Sequence, residues 1–358
     1  MAAGLYIGGT RAYAGKNTLT AGIGLQFQKE GLNIGYMKPI GVMPVEKDGH
    51  TADEDAAFVQ EVLGLKQPAD LVTPVLLTRD FKMSAFAGLV PDCLPKIAEA
   101  FRALARERDL MLVCGSGHAL SGKYCRLDGI RLVQEMDLKA VVIDRLQHEI
   151  NYDELLHVKE LLGDRMLGAV LNDVPADFMN EIENVVRPCL ERYGVQVLGV
   201  LPHDSLMSSI RAYELAEGLG GRLAAAQHRA GRMVENFLIG TMQVENFMTH
   251  FIRNPNAAVI VGGDRADVQL VAIEGGCPCL VLTGNLFPND LILSRADAMN
   301  VPIVLVRQDT YTTAQKMEKL LTRHKLRDIG KIRRGAKLVA SELDFDALRS
   351  GLGLGLGL

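Results

Sequence analysis

The chain has 358 residues, a formal net charge of −4 and no tryptophan; 48% of its residues are hydrophobic and 23% charged. That length suits two domains, and that composition excludes intrinsic disorder. The mildly acidic balance argues against a nucleic-acid partner, and no apolar run approaches the roughly 18 residues of a membrane span.

Short apolar runs alternate with amphipathic stretches from the start. Strands are predicted at 5–7, 34–38, 110–113, 140–143, 167–172 and 197–200. Helices are predicted at 17–29, 53–63, 96–108, 127–136, 153–162 and 178–192. Near-continuous apolar strands alternating with helices indicate a parallel sheet covered on both faces. After Pro202-His203-Asp204 the pattern shifts, and 206–232 reads as a connecting helix or two. A second alternation follows, with strands at 257–261, 279–283 and 303–306 and helices at 266–274, 290–299 and 313–323. The fold class is therefore α/β twice. The expected divisions are 1–204, then 205–325 as linker helices and a smaller domain, then 326–358 as a basic segment and tail.

Seven basic residues fall between Arg323 and Lys337 against one acid, Asp328. A solvated helix face is the favoured reading, ahead of an anion patch. The closing Gly-Leu repeat from Gly351 reads as a disordered end or a read-through scar. The six cysteines form no C-x-x-C pair and no zinc spacing, which suggests a reducing compartment. The first residues carry no basic stretch before an apolar one, so no signal peptide is read, and a cytoplasmic location is expected.

The segment most informative about chemistry is Gly8-Gly-Thr-Arg-Ala-Tyr-Ala-Gly-Lys-Asn-Thr18. It follows the first strand and opens a helix. Backbone N–H groups of such a turn wrap phosphates, and the helix N-terminus adds partial positive charge. Gly9, Thr10, Gly15, Lys16, Asn17 and Thr18 are the candidate nucleotide-binding residues. Lys16 is placed on the terminal phosphates. The strict pattern G-x-x-x-x-G-K-[ST] is not met. Five residues separate Gly9 from Gly15, and Asn17 stands where a hydroxyl belongs. His118 lies in the Gly-rich loop after the strand at 110–113. It is a candidate base or phosphate ligand, and equally a loop histidine bonded to backbone.

Three strand ends in the second half form another candidate set. Gly263, Asp264, Arg265 and Asp267 follow one strand, with Asp264 expected to cap the next helix. Thr283 and Asn285 end the second, and Thr310 and Thr312 follow the third. Open α/β sheets place ligands at such edges, so a small metabolite or a protein partner is expected there.

The long-spaced phosphate loop resembles that of the dethiobiotin synthetase branch of P-loop proteins. Gly35-Tyr-Met-Lys-Pro-Ile40 resembles that family's second strand, which implies Lys38 beside the phosphates. Asp55 matches an aspartate that binds Mg²⁺, with Asp53 a nearby alternative and Asn17 close to the ion. Asn172 matches an asparagine that reads the base. The resemblance thus implies ATP and Mg²⁺, with Lys16, Lys38 and His118 as the catalytic candidates. One position departs from it: Cys114 stands where the family has a metal-binding glutamate. The run Gly263-Asp-Arg-Ala-Asp267, with the T-G-N and D-T-Y-T-T segments, resembles the DRTGG domain. That domain follows a dethiobiotin-synthetase-like domain in the N-terminal half of long-form bacterial phosphotransacetylases. Together these imply a nucleotide-binding regulator tied to acetyl-phosphate metabolism. On the resemblance the chain is too short for the acetyltransferase domain, and a homo-oligomer is expected. An ATP-dependent ligase and a scaffold with a vestigial loop are the alternatives.

Overall fold

The computed structural model describes residues 2–47, 50–146, 150–322 and 328–355. The chain divides into two units: Met1–His203 together with Leu326–Leu358, and Asp204–Lys325. The second unit is therefore an insertion in the first.

The first unit is built on six parallel strands: β1 (Ala3–Gly9), β2 (Ile34–Met37), β3 (Leu110–Cys114), β4 (Lys139–Arg145), β5 (Met166–Val174) and β6 (Val197–Pro202). Their order across the sheet is β6-β5-β4-β1-β3-β2. Both faces are covered, so these strands carry apolar residues at successive positions rather than alternate ones. All five residues of β3 are buried. β1 lies between β3 and β4, in register Ile7 to Cys114 and Gly9 to Ile143. The loop after β1 thus emerges beside the ends of both neighbours. A hairpin of Pro44–Lys47 and His50–Asp53 and a helix at Arg79–Phe86, none of them predicted, are added around this core.

Helix Lys16–Lys29 is buried almost all round, which is why it carries glycines in its interior. A side-chain carbon at Gly22 would stand 2.5 Å from Val339 Cβ, and one at Gly24 would stand 2.6 Å from Leu63 Cδ2. Each glycine costs about 1 kcal/mol of helix propensity, and close packing on two sides offsets that. Val339 belongs to helix Ile329–Glu342, which lies along this helix.

The end of the chain departs from expectation. Residues 328–355 are no tail. Helix Ile329–Glu342 is followed by helix Phe345–Leu352, which buries Phe345 and Leu348 against the first unit. Phe345 meets Phe27 edge to face at 5.5 Å between ring centres. Gly351, from the Gly-Leu repeat, packs against Leu167, and Gly353 closes the helix in a left-handed conformation. The last helix reaches only into the first two residues of the repeat, Gly351 and Leu352. Within the basic run, Arg333, Arg334 and Lys337 form a solvated face, but Lys331 is buried; Arg323, Lys325 and Arg327 lie outside the described residues.

The main sheet of the second unit has five strands: β7 (Arg222–Ala225), β8 (Asn236–Ile239), β9 (Ala257–Gly262), β10 (Leu280–Thr283) and β11 (Ile303–Leu305), in the order β7-β11-β10-β9-β8. All neighbours are parallel except β7 with β11. The expected connecting helices at 206–232 are mostly something else. Helix Ala212–Leu219 stops at Gly220 in a left-handed conformation, and the chain turns into edge strand β7. Gly221 allows that approach, since a side chain there would stand 2.8 Å from the Leu305 carbonyl oxygen. No helix among the described residues is long and apolar enough to cross a membrane.

Because the final helix is part of the first core, Leu348→Ala should lower the stability of that unit by roughly 2–5 kcal/mol. Urea unfolding followed by circular dichroism checks it; an unchanged midpoint would return residues 345–352 to the status of a tail.

Candidate functional site

The loop after β1 turns through Tyr13 and Gly15, both with positive φ (61° and 109°), and delivers Lys16 to the helix start. No side chain caps that helix. The first N–H groups of the helix therefore lack side-chain acceptors, the usual state of an anion site. Lys16 Nζ donates to the carbonyl oxygens of Gly117 at 2.5 Å and Arg11 at 3.3 Å. No carboxylate among the described residues forms an ion pair with it. Burial lowers its pKa, and nearby Lys38 lowers it further.

The loop is pinned from three sides. The Thr10 N–H donates to Ile143, the Ala119 N–H donates to Gly9, and Asn172 Nδ2 donates to the Ala14 carbonyl at 2.8 Å. Asn172 thus ties the end of β5 to the phosphate loop. A side-chain carbon at Gly15 would stand 2.5 Å from Asn172 Nδ2, so glycine is required there by contact as well as by φ. Thr18 is buried in the first helical turn.

Lys38, just beyond β2, is buried between two carboxylates. Its Nζ reaches Asp53 Oδ1 at 2.6 Å and Asp55 Oδ2 at 3.2 Å. Burial lowers its pKa, but these two carboxylates outweigh that and raise it. Asp53 is fully occupied, because it also accepts from the N–H groups of Val42, Met43 and Ala56 and caps helix Glu54–Val62. Asp55 is the more exposed of the pair.

Cys114 ends β3 under this loop. Its Sγ donates to Asn17 Oδ1 at 3.6 Å, and burial pushes the thiol up despite Lys38 and Lys16 nearby. It is a packed thiol, not a thiolate. All six cysteines are free, and burial raises Cys277 to about 12.

The positions expected to surround Mg²⁺ do not fit the ion. Magnesium requires hard oxygen donors in near-octahedral array. Asn17 Oδ1 accepts from a thiol, Asp55 Oδ2 accepts from Lys38, and Cys114 offers sulfur. No group of three or more His, Cys, Asp or Glu among the described residues is placed to hold a metal. His118 is exposed on the loop. Its Nδ1 accepts from the Leu120 N–H at 3.2 Å, and its own N–H donates to Ser121 Oγ. That is the geometry of a loop histidine bonded to backbone.

Two features of this edge escaped the sequence reading. Asp144 is buried at the end of β4 beside Arg11, with Nε to Oδ1 at 3.6 Å. Burial raises its carboxyl to about 6, with Arg11 and Thr10 opposing. A lone acid directly after four apolar residues was the available signal. Asp173, next to Asn172, bonds Arg145 Nε at 2.7 Å and His203 Nδ1 at 2.6 Å. This bridges the ends of β4, β5 and β6. Burial raises the Asp173 pKa, but the His203 and Arg145 contacts outweigh that and hold it low.

In the second unit the expected residues do gather at the strand ends, mostly bonded to one another. Arg265 Nε and Nη2 reach Asp267 at 3.0 and 2.9 Å, and Nη2 donates to the Met242 carbonyl. Thr283 and Thr310 hydroxyls meet at 2.9 Å, and the Gly263 N–H donates to the Thr283 carbonyl. Asn285 takes a left-handed turn. Asp264 does not cap helix Ala266–Glu274, because Arg265 holds the capping position without a side-chain bond. Asp309 caps the last helix of the unit, accepting from the N–H and hydroxyl of Thr312.

Residues 3–211 match the model of the AAA domain family. The chain belongs to that family. A DRTGG domain follows at residues 214–320, so the architecture is a P-loop AAA domain with a smaller α/β DRTGG domain. The phosphate acetyltransferases of Synechocystis sp. and Pseudomonas aeruginosa are each 22% identical over 97% of this chain, covering 51% and 52% of their own lengths. The chain thus spans about half the length of these curated relatives. The ATP-dependent dethiobiotin synthetase BioD of Thermodesulfovibrio yellowstonii is 27% identical over 60% of this chain and 95% of its own length. The P-loop AAA domain implies nucleotide binding, and the similarity to phosphate acetyltransferases lies in their N-terminal region.

Asp144 is the residue whose ionisation opposes folding. Its folded pKa of about 6 exceeds the ordinary 3.8, so its penalty is absent below about pH 4 and complete above about pH 6. Asp144→Asn should therefore raise stability at pH 8 by up to ~3 kcal/mol and change little at pH 4. Urea midpoints at the two pH values check this.

Proposed function

We propose that this chain is a nucleotide-binding regulatory protein linked to acetyl-phosphate and acetyl-CoA metabolism, with ATP as its nucleotide. The observation that carries the proposal is the Lys16 ammonium, held by two carbonyl oxygens and no carboxylate at an uncapped helix N-terminus. A buried charge without an opposite charge is costly, and a phosphate supplies that opposite charge. Gly9 to Thr18 would wrap the phosphates, with Lys16 and Lys38 donating to them and Asn172 Oδ1 facing the base. The DRTGG domain would take a small metabolite or a protein partner near Arg265, Thr283 and Thr310. The link to acetate metabolism rests on the two phosphate acetyltransferases.

A ligase reading is favoured by the dethiobiotin synthetase relative. It places Lys16 and Lys38 on a transferring phosphoryl group. It calls for ATP hydrolysis in the presence of a carboxylate substrate, lost in Lys16→Ala.

Titration calorimetry of the full chain with ATP tests the main reading. Binding at or below about 1 mM is expected. Lys16→Ala should weaken it roughly tenfold or more, the scale of a lost charge-assisted hydrogen bond of about 1.5–3 kcal/mol. No binding to the wild-type chain, or equal binding by Lys16→Ala, sinks it.

A further inference from the structure

We propose that the phosphate loop binds its nucleotide without a protein-ligated divalent cation, the Lys38 ammonium standing between Asp55 and the phosphates in the ion's place. This rests on the nucleotide-binding reading and puts a separate question to the same site.

The argument is one of donors. An ammonium has three N–H groups. Lys38 gives one to Asp53 and one to Asp55, and no third acceptor among the described residues is bonded to it. Lys16 gives one to Arg11 and one to Gly117, which likewise leaves one over. The two ammoniums are close enough for Lys38 to disfavour the charge on Lys16. Each is held in place: Lys38 by a carboxylate that is itself fixed by three backbone N–H groups, Lys16 by two loop carbonyls. The spare N–H groups and the uncapped helix start make a donor set with no metal in it.

The residues that would hold an ion are turned to other work. Cys114 is soft where magnesium requires oxygen. Its thiol engages the Asn17 amide oxygen, the other donor nearest the loop. Asp55 Oδ2 carries the Lys38 ammonium at 3.2 Å, so a divalent ion on that oxygen would sit against a fixed like charge. The ammonium brings one positive charge where magnesium brings two, so the site neutralises less of the polyphosphate. Removing magnesium costs it correspondingly little.

The test is ATP binding to the full wild-type chain by calorimetry, in EDTA and in excess Mg²⁺. Dissociation constants within about threefold of each other are expected. Binding about tenfold or more weaker in EDTA overturns this inference and leaves the nucleotide-binding reading standing. No binding in either buffer overturns both. Cys114→Glu supplies the missing hard donor and should make binding roughly tenfold tighter with Mg²⁺ than in EDTA. A folded Cys114→Glu chain indifferent to Mg²⁺ would overturn the role given to Cys114. The wild-type comparison decides the main claim even where that variant fails to fold.

Discussion

The positive charge of Lys16 is the constraint around which the first unit is arranged. It is held under the phosphate loop by carbonyl oxygens from Arg11 and Gly117, which satisfy its geometry without cancelling its charge. Such an arrangement persists only if the surrounding structure enforces it. The enforcement is visible: two strands pin the loop through Ile143 and Asn172, and the loop after β3 pins it through Ala119. The sheet order explains how they converge, since β1 lies between β3 and β4 with β5 one strand further out.

The helix behind the loop depends on a different kind of fit. Lys16–Lys29 has little polar face, and its interior glycines accept Val339 on one side and Leu63 on the other. Its position is fixed by shape rather than by charge, and a well-packed core resists small displacements. A loop whose function requires exact placement of N–H groups is thus backed by a helix that cannot slide. Asp144 is the exception, a buried acid whose ionised form is only partly compensated by Arg11.

Much of this was legible in the sequence because parallel strands and the phosphate loop write themselves locally. The apolar runs around Leu110 and Val141 and the glycines flanking Lys16 sit where the reading placed them. Residues bound by long-range partners were less legible. Nothing local distinguishes Asp53 from Asp55, yet one caps a helix and holds Lys38 while the other is more exposed. The helix at Phe345–Leu352 is short, and its buried residues Phe345 and Leu348 find partners far away in the chain. Asp264 looked like a helix cap by spacing, but the helix begins a residue later than a capping aspartate would require.

The insertion of the second unit has a consequence for how the molecule is made. A chain synthesised from its N-terminus completes the parallel sheet of the first unit and then all of the second before Val339 and Phe345 emerge. Until then, Gly22 and Phe27 on the phosphate-loop helix lack their covering. Domains generally fold as units as they leave the ribosome, but this one must wait. The helix that would grip the nucleotide is therefore sealed only after the second unit has been made.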